Sequence, residues 1–455
     1  MIDIKLIREN PDLIKGDLIK RGELEKLRWI DEILELDKKW RKNLREINNL
    51  RRERNKLAIE IGKRKKSGKA IDELIKKSDN IVKRIEEIEK ENNIIKGKID
   101  YYLWRLPNIT HESVPIGKDD TENVPIRFWG RARVWEGHLE TFLKQSQGKM
   151  EYEIITWKPE LHADLLPKIG GADLERAAKV SGARFFYLLN ELVILDLALI
   201  RFALDKLIEK GFIPVTPPYM VRKYVEEGVT SFGDFEDVIY KIEGEDLYLI
   251  PTSEHPLAGM HSNEILDGNN LPILYAGVSP CFRKEAGTAG KDTKGIFRVH
   301  QFHKVEQFVY ARPGESWKWH EKLLQNAEEI FQALEIPYRI VNICTGDLGH
   351  VAAKKYDIEA WMSAQGKFRE VVSCSNCTEW QARRLNIRFR DKPNEKPRFV
   401  HTLNSTAIAT SRAIVAIIEN FQEEDGTVKI PKALWPYTGF KEILPVDKKG
   451  RCCQS

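Results

Sequence analysis

An unbroken alternation of three- and four-residue steps near the N-terminus is the feature that most restricts the fold. The residues on this spacing are Ile71, Leu74, Ser78, Ile81, Ile85, Ile88, Asn92, Ile95, Ile99 and Tyr102. Similar spacing, kept less strictly, runs through residues 30–61. Such a pattern is typical of a coiled-coil seam. It predicts an antiparallel hairpin of two helices, each of roughly 33 residues and about 50 Å long at 1.5 Å per residue.

The stretch between the two apolar runs is strongly basic. Residues 62–69 carry five positive charges and no negative one, and glycines stand at positions 62 and 68. Residues 29–104 hold 21 Lys+Arg and 15 Asp+Glu, and the net charge of the whole chain is +5. All of the surplus of positive charge in the chain therefore lies in this segment. We therefore place the basic stretch at the tip of the hairpin, where it suits a phosphate backbone. A dimerisation or partner-binding coiled coil is the alternative, and the arm by itself leaves the two open.

Length and composition set wider limits. A chain of 455 residues, 42% hydrophobic and 31% charged, is long enough for two or more domains with a large core. No apolar run approaches a bilayer span, and the N-terminus has no apolar signal core, so we expect a cytoplasmic protein. Six cysteines suggest reduced thiols. The Cys374/Cys377 pair has zinc-like spacing without a second pair, and Cys452 and Cys453 lie in the tail, so we expect no structural zinc.

The segment 282–306 carries the chemistry. Two alternating apolar stretches flank a loop rich in Gly, Lys and Thr, which predicts a β-hairpin with a mobile tip at 287–295. Arg283 and Glu285 lie on one side, and Phe302 and Glu306 on the other. Such a hairpin offers a guanidinium to a phosphate, an aromatic face to a base and a carboxylate to an ammonium group.

These residues resemble motif 2 of the class II aminoacyl-tRNA synthetases, in the form found in the seryl-tRNA synthetase family. The apolar stripe at 188–210, followed by Gly211 and a strand ending at Pro218, resembles motif 1, which forms the homodimer interface in this class. The segment 403–412 resembles motif 3 but lacks its usual glycines and has Thr406 where serine is common. A hydroxyl is retained there, while the geometry of the turn stays open.

The resemblance implies a role for each matched residue. Arg283 and Arg412 are the implied catalytic residues, on the α- and γ-phosphates of ATP, and Phe302 lies under the adenine. The implied serine-binding residues are Thr252, Ser253, Glu254, Arg283, Glu306 and Thr406. The implied ATP-binding residues are Arg283, Lys284, Glu285, Val299, Phe302, Glu370, Val371, Val372, Ser373 and Arg412. The implied magnesium ligands are Glu370 and Ser373. The implied tRNA-binding residues are Lys63, Arg64, Lys65, Lys66 and Lys69.

The resemblance also implies the fold and the activity. The fold is α+β, with a helical tRNA-binding arm at 1–108, a connecting segment at 109–182 and a catalytic domain at 183–455 built on an antiparallel sheet flanked by helices. The activity is that of a homodimeric serine–tRNA ligase: ATP and L-serine form seryl-adenylate, and serine passes to the 3′ end of tRNA(Ser). Whether tRNA(Sec) is a second acceptor stays open.

Three alternatives stay open at this point. Another class II ligase, such as a threonyl or prolyl enzyme, is disfavoured by the arm and by the segment 370–384. A non-catalytic RNA- or protein-binding paralogue is disfavoured because both arginines, the ammonium-binding glutamate and the metal pair are present. An enzyme that loads amino acids onto carrier proteins would be expected to lack the arm.

Overall fold

The computed structural model describes residues 1–231, 238–285 and 294–448. The chain divides into two compact units, Met1–Ile109 and Thr110–Ser455. Most of the predicted mobile tip at 287–295 lies outside the described residues, as do Cys452 and Cys453.

The first unit is helical and contains the predicted hairpin. Its helices are α1 (Ile4–Glu9), α2 (Pro11–Lys20), α3 (Leu27–Lys66) and α4 (Asp72–Arg105). Ion pairs from Lys39 to Glu91 and from Lys77 to Glu53 show that α3 and α4 run antiparallel. The coiled-coil arm is therefore confirmed. At 40 residues α3 is longer than predicted, because the helix continues through the basic stretch and turns only after Lys66.

The seam between α3 and α4 is apolar with polar interruptions. Ile81, Ile85, Ile88, Ile95 and Ile99 are buried at the predicted positions. Asp37, Asn43 and Asn92 are polar residues buried on the two helices. Asp37 forms ion pairs with Arg8 of α1 and Arg41 of α3, while Asn43 donates to Glu91 at 2.8 Å. Such polar groups in a seam fix the register of the two helices at some cost in stability.

The second unit is built on one eight-stranded sheet. We number its strands in chain order: β1 (Val124–Trp129), β2 (Ile213–Val215), β3 (Ile273–Phe282), β4 (Gln301–Ala311), β5 (Tyr338–Asn342), β6 (Lys354–Met362), β7 (Lys367–Asn376) and β8 (His401–Ala409). Their order across the sheet is β1-β5-β6-β7-β8-β4-β3-β2. All pairs are antiparallel except β3 with β2, which is parallel and lies at one edge.

Shorter elements surround this sheet. The helices are α5 (Leu139–Ser146), α6 (His162–Lys168), α7 (Leu174–Ser181), α8 (Glu191–Glu209), α9 (Lys223–Val229), α10 (Glu254–Gly259), α11 (Ser316–Ala333), α12 (Trp380–Leu385), α13 (Thr410–Phe421) and α14 (Trp435–Thr438). The remaining strands are Arg131–Trp135, Glu151–Ile155, Ala172–Asp173, Tyr187–Leu188, Met220–Val221, Tyr248–Leu249, Ile265–Asp267, Arg388–Arg390, Arg398–Phe399, Val428–Lys429 and Glu442–Ile443.

The two faces of the sheet serve different purposes. One face carries Val305 and Val309 into the main core, where helices α8, α11 and α13 cover it. The other face carries Phe308 and Tyr310 into a smaller core with Leu257 of α10. Because alternate side chains of a strand point to opposite faces, β4 contributes to both cores. The smaller core covers only part of its face, which leaves room for a cleft.

Helix α8 matches the predicted stripe at 188–210 and ends where Gly211 adopts a φ of 86°. None of the described helices is both long and apolar enough to cross a membrane. The four described cysteines are free and buried.

Candidate active site

One face of the β3–β4 pair collects the predicted side chains. Antiparallel register sets Gly277, Ser279 and Cys281 of β3 opposite Glu306, Lys304 and Phe302 of β4. Directly opposed residues share a face, so the three functional side chains of β4 lie beside three small residues of β3. This pairing makes the floor of a cleft.

Gly277 allows the segment 252–254 to lie against this floor. A Cβ at position 277 would come within 2.7 Å of the Ser253 Cβ and 2.8 Å of Leu257 Cδ1. Such distances are far inside van der Waals contact, so the start of α10 packs on the strand only where no side chain intervenes. The predicted serine-binding segment is thus fixed to the same floor as Glu306.

Thr252, Lys304 and Glu306 form a buried polar cluster. The Lys304 Nζ donates to Thr252 Oγ1 at 3.2 Å and forms an ion pair with the Glu306 carboxylate. Burial raises the pKa of Glu306 to about 7, although the charge of Lys304 works in the opposite direction. A carboxylate in this setting gains strongly from a second cation, which is the property that an ammonium site needs.

Glu254 and Ser253 have different surroundings. The half-buried Glu254 accepts a hydrogen bond from Gln381 Nε2 at 2.8 Å. Ser253 is fully buried, and its hydroxyl lies 2.8 Å from that of Ser279. Glu254 is therefore available at the cleft, whereas the Ser253 side chain ties the segment to β3.

Arg283 follows directly after β3 and reaches over the floor. Its Nε donates to the carbonyl of Pro251 at 3.2 Å, and its guanidinium carbon lies 5.3 Å from the centre of the Phe302 ring. The Arg283 backbone is anchored by His300, whose Nδ1 lies 2.7 Å from its carbonyl oxygen. The guanidinium and the aromatic face are thus held close together, as a nucleotide site requires.

The neighbouring residues that are predicted to bind ATP are held mainly by backbone contacts. Glu285 has a φ of 51°, in the left-handed region, and its carboxylate pairs with Arg298 Nη1 at 3.1 Å. The Lys284 amide donates to the carbonyl of Val238 at 2.9 Å. Val299 is buried in the main core, so only its backbone is suited to contact a ligand.

A β-bulge in β7 brings Glu370 and Ser373 together. In a regular strand, residues three apart point to opposite faces. Here Ile358 pairs with Val372 and Glu359 with Glu370, so Val371 is an extra residue. Val371 and Val372 consequently both enter the main core. Glu370 and Ser373 therefore share the face that bears the cleft.

These two side chains fit a hard divalent cation such as Mg²⁺. The Glu370 side chain is 46% exposed, and Ser373 supplies a hydroxyl directly opposite the buried Asp357 of β6. Asp357 Oδ1 has no hydrogen-bond partner. The carboxylates and the hydroxyl together offer only oxygen atoms, which are the ligands that Mg²⁺ prefers. Among the described residues, no group of three or more His, Cys, Asp and Glu could hold a metal ion. One or two protein oxygens with phosphate oxygens are the usual surroundings of Mg²⁺.

Arg412 faces Glu370 from the first turn of α13. Its Nη1 lies 3.1 Å from Glu370 Oε1 and donates to the Glu370 carbonyl at 3.0 Å. Desolvation in the cleft works to raise the pKa of Glu370, but Arg412, Lys355 and Arg283 outweigh it and hold that pKa below its ordinary value. Glu370 is therefore ionised and placed among the cations of the cleft.

Thr406 lies on β8 directly opposite Glu306. A second bulge follows it: Glu306 pairs with Thr406 and Val305 with Ile408, so Ala407 is an extra residue. The strand then passes straight into α13 at Thr410, and no residue from 401 to 421, all of them described, has a positive φ. The glycine-free motif 3 junction is compatible with this backbone, because glycine is needed only where φ is positive.

Three residues of the cleft were missed or given no role by sequence reasoning. Lys304 and Gln381 each donate a hydrogen bond to a predicted residue, and Asp357 pairs with Ser373 across β6 and β7. The signal for Lys304 was available, since it lies two positions before Glu306 on an alternating strand. The contacts of Gln381 and Asp357 depend on tertiary packing, and no sequence pattern indicates them.

The predicted tRNA-binding residues belong to the first unit. Lys63, Arg64, Lys65 and Lys66 form the last turn of α3, and Lys69 follows in the connecting turn. All five are exposed, and Arg64 forms an ion pair with Glu60 at 2.6 Å. Their basic side chains therefore lie together on the surface of the arm.

Comparisons with known proteins agree with both units. Residues 1–110 match the model of the seryl-tRNA synthetase N-terminal domain, and residues 237–421 match that of the class II tRNA synthetase core domain for G, H, P, S and T. A serine–tRNA ligase of Thermococcus sibiricus is 96% identical over 455 residues, with 100% of both chains covered.

Solved structures give the same result. The seryl-tRNA synthetase of Pyrococcus horikoshii, crystallised with ATP, has a TM-score of 0.95 at 79% identity, covering 98% of this chain and 100% of that chain. The cytoplasmic serine–tRNA ligase of Naegleria fowleri, in complex with AMP, has a TM-score of 0.86 at 34% identity, covering 98% and 99%.

Proposed function

Because the chain belongs to the seryl-tRNA synthetase family, we propose that the cleft on β3, β4, β7 and β8 is where serine and ATP react. The activity is that of a serine–tRNA ligase: L-serine is activated with ATP and then transferred to tRNA. The observation that carries the assignment to this cleft is the convergence of Glu306, Arg283, Arg412 and Glu370 around one sheet face. We place the reaction in the cytoplasm, with the tRNA substrate.

The first step, activation of serine, requires alignment of the two reactants and does not require a general base. The serine carboxylate is ionised at neutral pH, and one of its oxygens attacks the α-phosphorus as the bond to the β-phosphate breaks and diphosphate leaves. Two anions must approach each other, so the barrier falls when cations are fixed beside them. Arg283 neutralises the serine carboxylate and the α-phosphate, and Arg412 neutralises the γ-phosphate.

The ammonium group of serine is held by a negatively charged side chain. The Glu306 carboxylate receives the substrate ammonium group, while Thr406, opposite Glu306, and the Glu254 carboxylate lie within the same pocket. Alanine would leave these buried polar groups unpaired, and threonine would add a methyl group to a closed site. The Val299 backbone and the Phe302 ring contact the nucleotide, and Glu285 contacts its adenine amino group.

Glu370 and Ser373 would hold Mg²⁺, with Val371 and Val372 keeping the bulge in place. When bound, the metal neutralises charge on the phosphate oxygens. Arg412 anchors the Glu370 backbone, so the carboxylate keeps its orientation toward the cleft. In the second step the ribose hydroxyl at the tRNA 3′ end attacks the serine carbonyl carbon, and AMP leaves.

The protein binds tRNA, and we assign the arm tip to that contact. Lys63, Lys65, Lys66 and Lys69 are exposed cations without an intervening acidic residue, which suits a phosphate backbone.

We further propose a homodimer. Val193, Ile194 and Leu197 are exposed on α8, and Ile213 is exposed on the edge strand β2. Exposed apolar groups on a helix beside an unpaired strand edge are typical of an interface.

Arg283→Ala should lower kcat/KM for serine-dependent ATP–pyrophosphate exchange by about 100-fold or more, since a donor aimed at developing charge contributes that much. Threonine, alanine and proline should support no exchange. Arg176→Ala, which removes an exposed arginine from α7, is the matched control and should retain full activity. Absence of exchange with every amino acid in the unaltered protein would contradict the assignment and favour an RNA-binding paralogue.

Glu370→Gln should raise the Mg²⁺ concentration needed for half-maximal exchange by about tenfold, because a neutral amide is a weaker ligand than a carboxylate. Magnesium titration of the exchange rate measures this. Glu175→Gln, at an exposed carboxylate on α7, provides the control. An unchanged magnesium titration in Glu370→Gln would remove that residue from the metal site.

Replacement of Lys63, Lys65, Lys66 and Lys69 by glutamine should weaken tRNA binding without changing ATP–pyrophosphate exchange. Each lost phosphate contact should make the slope of log K against log[salt] shallower by roughly 0.7–0.9. The matched control replaces four exposed lysines of the second unit, Lys144, Lys179, Lys392 and Lys396. Equal losses in the two quadruple variants would indicate a general charge effect and count against the arm tip.

Leu197→Glu should convert the dimer to a monomer in sedimentation equilibrium, because a charge would replace an apolar side chain that is 55% exposed on α8. Val180→Glu changes a side chain that is 70% exposed on α7 and should leave the dimer intact. A monomeric unaltered protein, or a dimeric Leu197→Glu variant, would place the interface elsewhere.

A further inference from the structure

Lys304 is an unexpected residue at the base of the serine pocket. It is a buried cation on β4, two positions before the carboxylate that we assign to the substrate ammonium group. A second positive charge so close to an ammonium site should repel the substrate unless it has another purpose. Its contacts indicate what that purpose is.

The first contact determines which way the Thr252 hydroxyl points. Thr252 Oγ1 accepts a hydrogen bond from Lys304 Nζ at 3.2 Å and another from the Glu254 amide at 3.3 Å. A hydroxyl oxygen has two acceptor positions and one proton to donate. Both acceptor positions are used within the protein, so Thr252 is left to act as a donor. Serine brings hydroxyl and carboxylate oxygens as acceptors.

The second contact concerns charge. The charged groups with the largest effect on Glu306 are Lys304 on the same strand, Arg283 after β3, and Glu254 on α10. The titratable thiols of Cys281 on β3 and Cys374 on β7 also interact with it, and burial raises the pKa of both thiols. Burial and Glu254 raise the pKa of Glu306, whereas Lys304 and Arg283 lower it. The uncharged neighbours across the strand pairs are Gly277 on β3 and Thr406 on β8. Without Lys304, the pKa of Glu306 would be higher still, so a smaller fraction of this carboxyl group would be ionised at neutral pH.

We propose that Lys304 is a positioning residue for serine: through its ion pair it favours the ionised form of Glu306 for the substrate ammonium group, and it fixes Thr252 as a hydrogen-bond donor to the substrate. The charges then balance in the bound state. Glu254 and Glu306 supply two negative charges, and Lys304 and the serine ammonium group supply two positive ones. The inference rests on the proposed serine site and adds the residue that sets the charge state of that site.

The test compares three substitutions at position 304 by ATP–pyrophosphate exchange from pH 6 to pH 9, with serine and ATP varied separately. Lys304→Met removes both contacts, Lys304→Gln retains a donor without charge, and Lys304→Arg retains the charge. For Lys304→Met and Lys304→Gln we expect KM for serine at pH 7 to rise about tenfold or more, with KM for ATP changed less than twofold. A displacement of one pKa unit corresponds to a tenfold change.

The pH profile is the readout that a purely structural role would not alter. In both uncharged variants the acidic limb of kcat/KM for serine should move up by about one pH unit, because Glu306 must lose a proton before it binds the ammonium group. The deficit should therefore shrink toward pH 9. Lys304→Arg should keep the unaltered profile. Thermal unfolding of each variant checks that the fold is retained.

Two outcomes would overturn the proposal. One is an unshifted acidic limb in Lys304→Met and Lys304→Gln, and the other is an equal rise in KM for serine and for ATP. If Lys304→Met does not fold, the comparison of Lys304→Gln with Lys304→Arg decides the question. Failure of the proposed function is distinct, because the unaltered protein would then show no serine-dependent exchange at any pH.

Discussion

The antiparallel register of β3 with β4 is the constraint on which the rest of the site depends. It sets three small residues opposite Phe302, Lys304 and Glu306, and so opens space above the strands that carry the chemistry. The absent side chain at Gly277 then lets the segment 252–254 approach the same floor. A register shift of one residue would turn all of these side chains into the opposite core.

The cleft separates charges over a short distance. The side that we assign to serine is a carboxylate region, in which Glu254 acts on Glu306 and Glu306 pairs with the buried Lys304. The side that we assign to the nucleotide is a cationic region, in which Arg283 and Arg412 act on one exposed glutamate. The substrate serine has the complementary arrangement, with an ammonium group at one end and a carboxylate at the other. Orientation of the amino acid therefore follows from electrostatics before any contact with its side chain is considered.

The sequence was informative where a pattern is local. The heptad spacing predicted the arm because a helical seam repeats over many residues, although it did not show that α3 continues through the basic stretch. Similarity of motifs located Arg283, Glu306 and Arg412, and the structure brings them to one sheet face. Alternation on β4 also contained the signal for Lys304, because residues two apart on a strand share a face and Lys304 lies two positions before Glu306.

Other features could not be predicted in this way. The resemblance implied serine binding for Ser253 as part of the segment 252–254. That its hydroxyl contacts Ser279 depends on the packing of α10 on β3, which no sequence pattern shows. Asp357 reaches Ser373 through pairing of β6 with β7, which joins residues far apart in the chain. Long-range pairing of this kind depends on the whole sheet, and short sequence windows carry no record of it.

The two bulges have a consequence for how this protein tolerates change. Val371 and Ala407 each add one residue to neighbouring strands, so the strands change phase at the level of the cleft. Loss of a single codon at either site would leave composition, charge and hydropathy almost unaltered. It would nevertheless move the side chains along half of the strand from one face of the sheet to the other. Length at these positions is therefore under tighter constraint than residue identity, and a gap there would be more damaging than most substitutions.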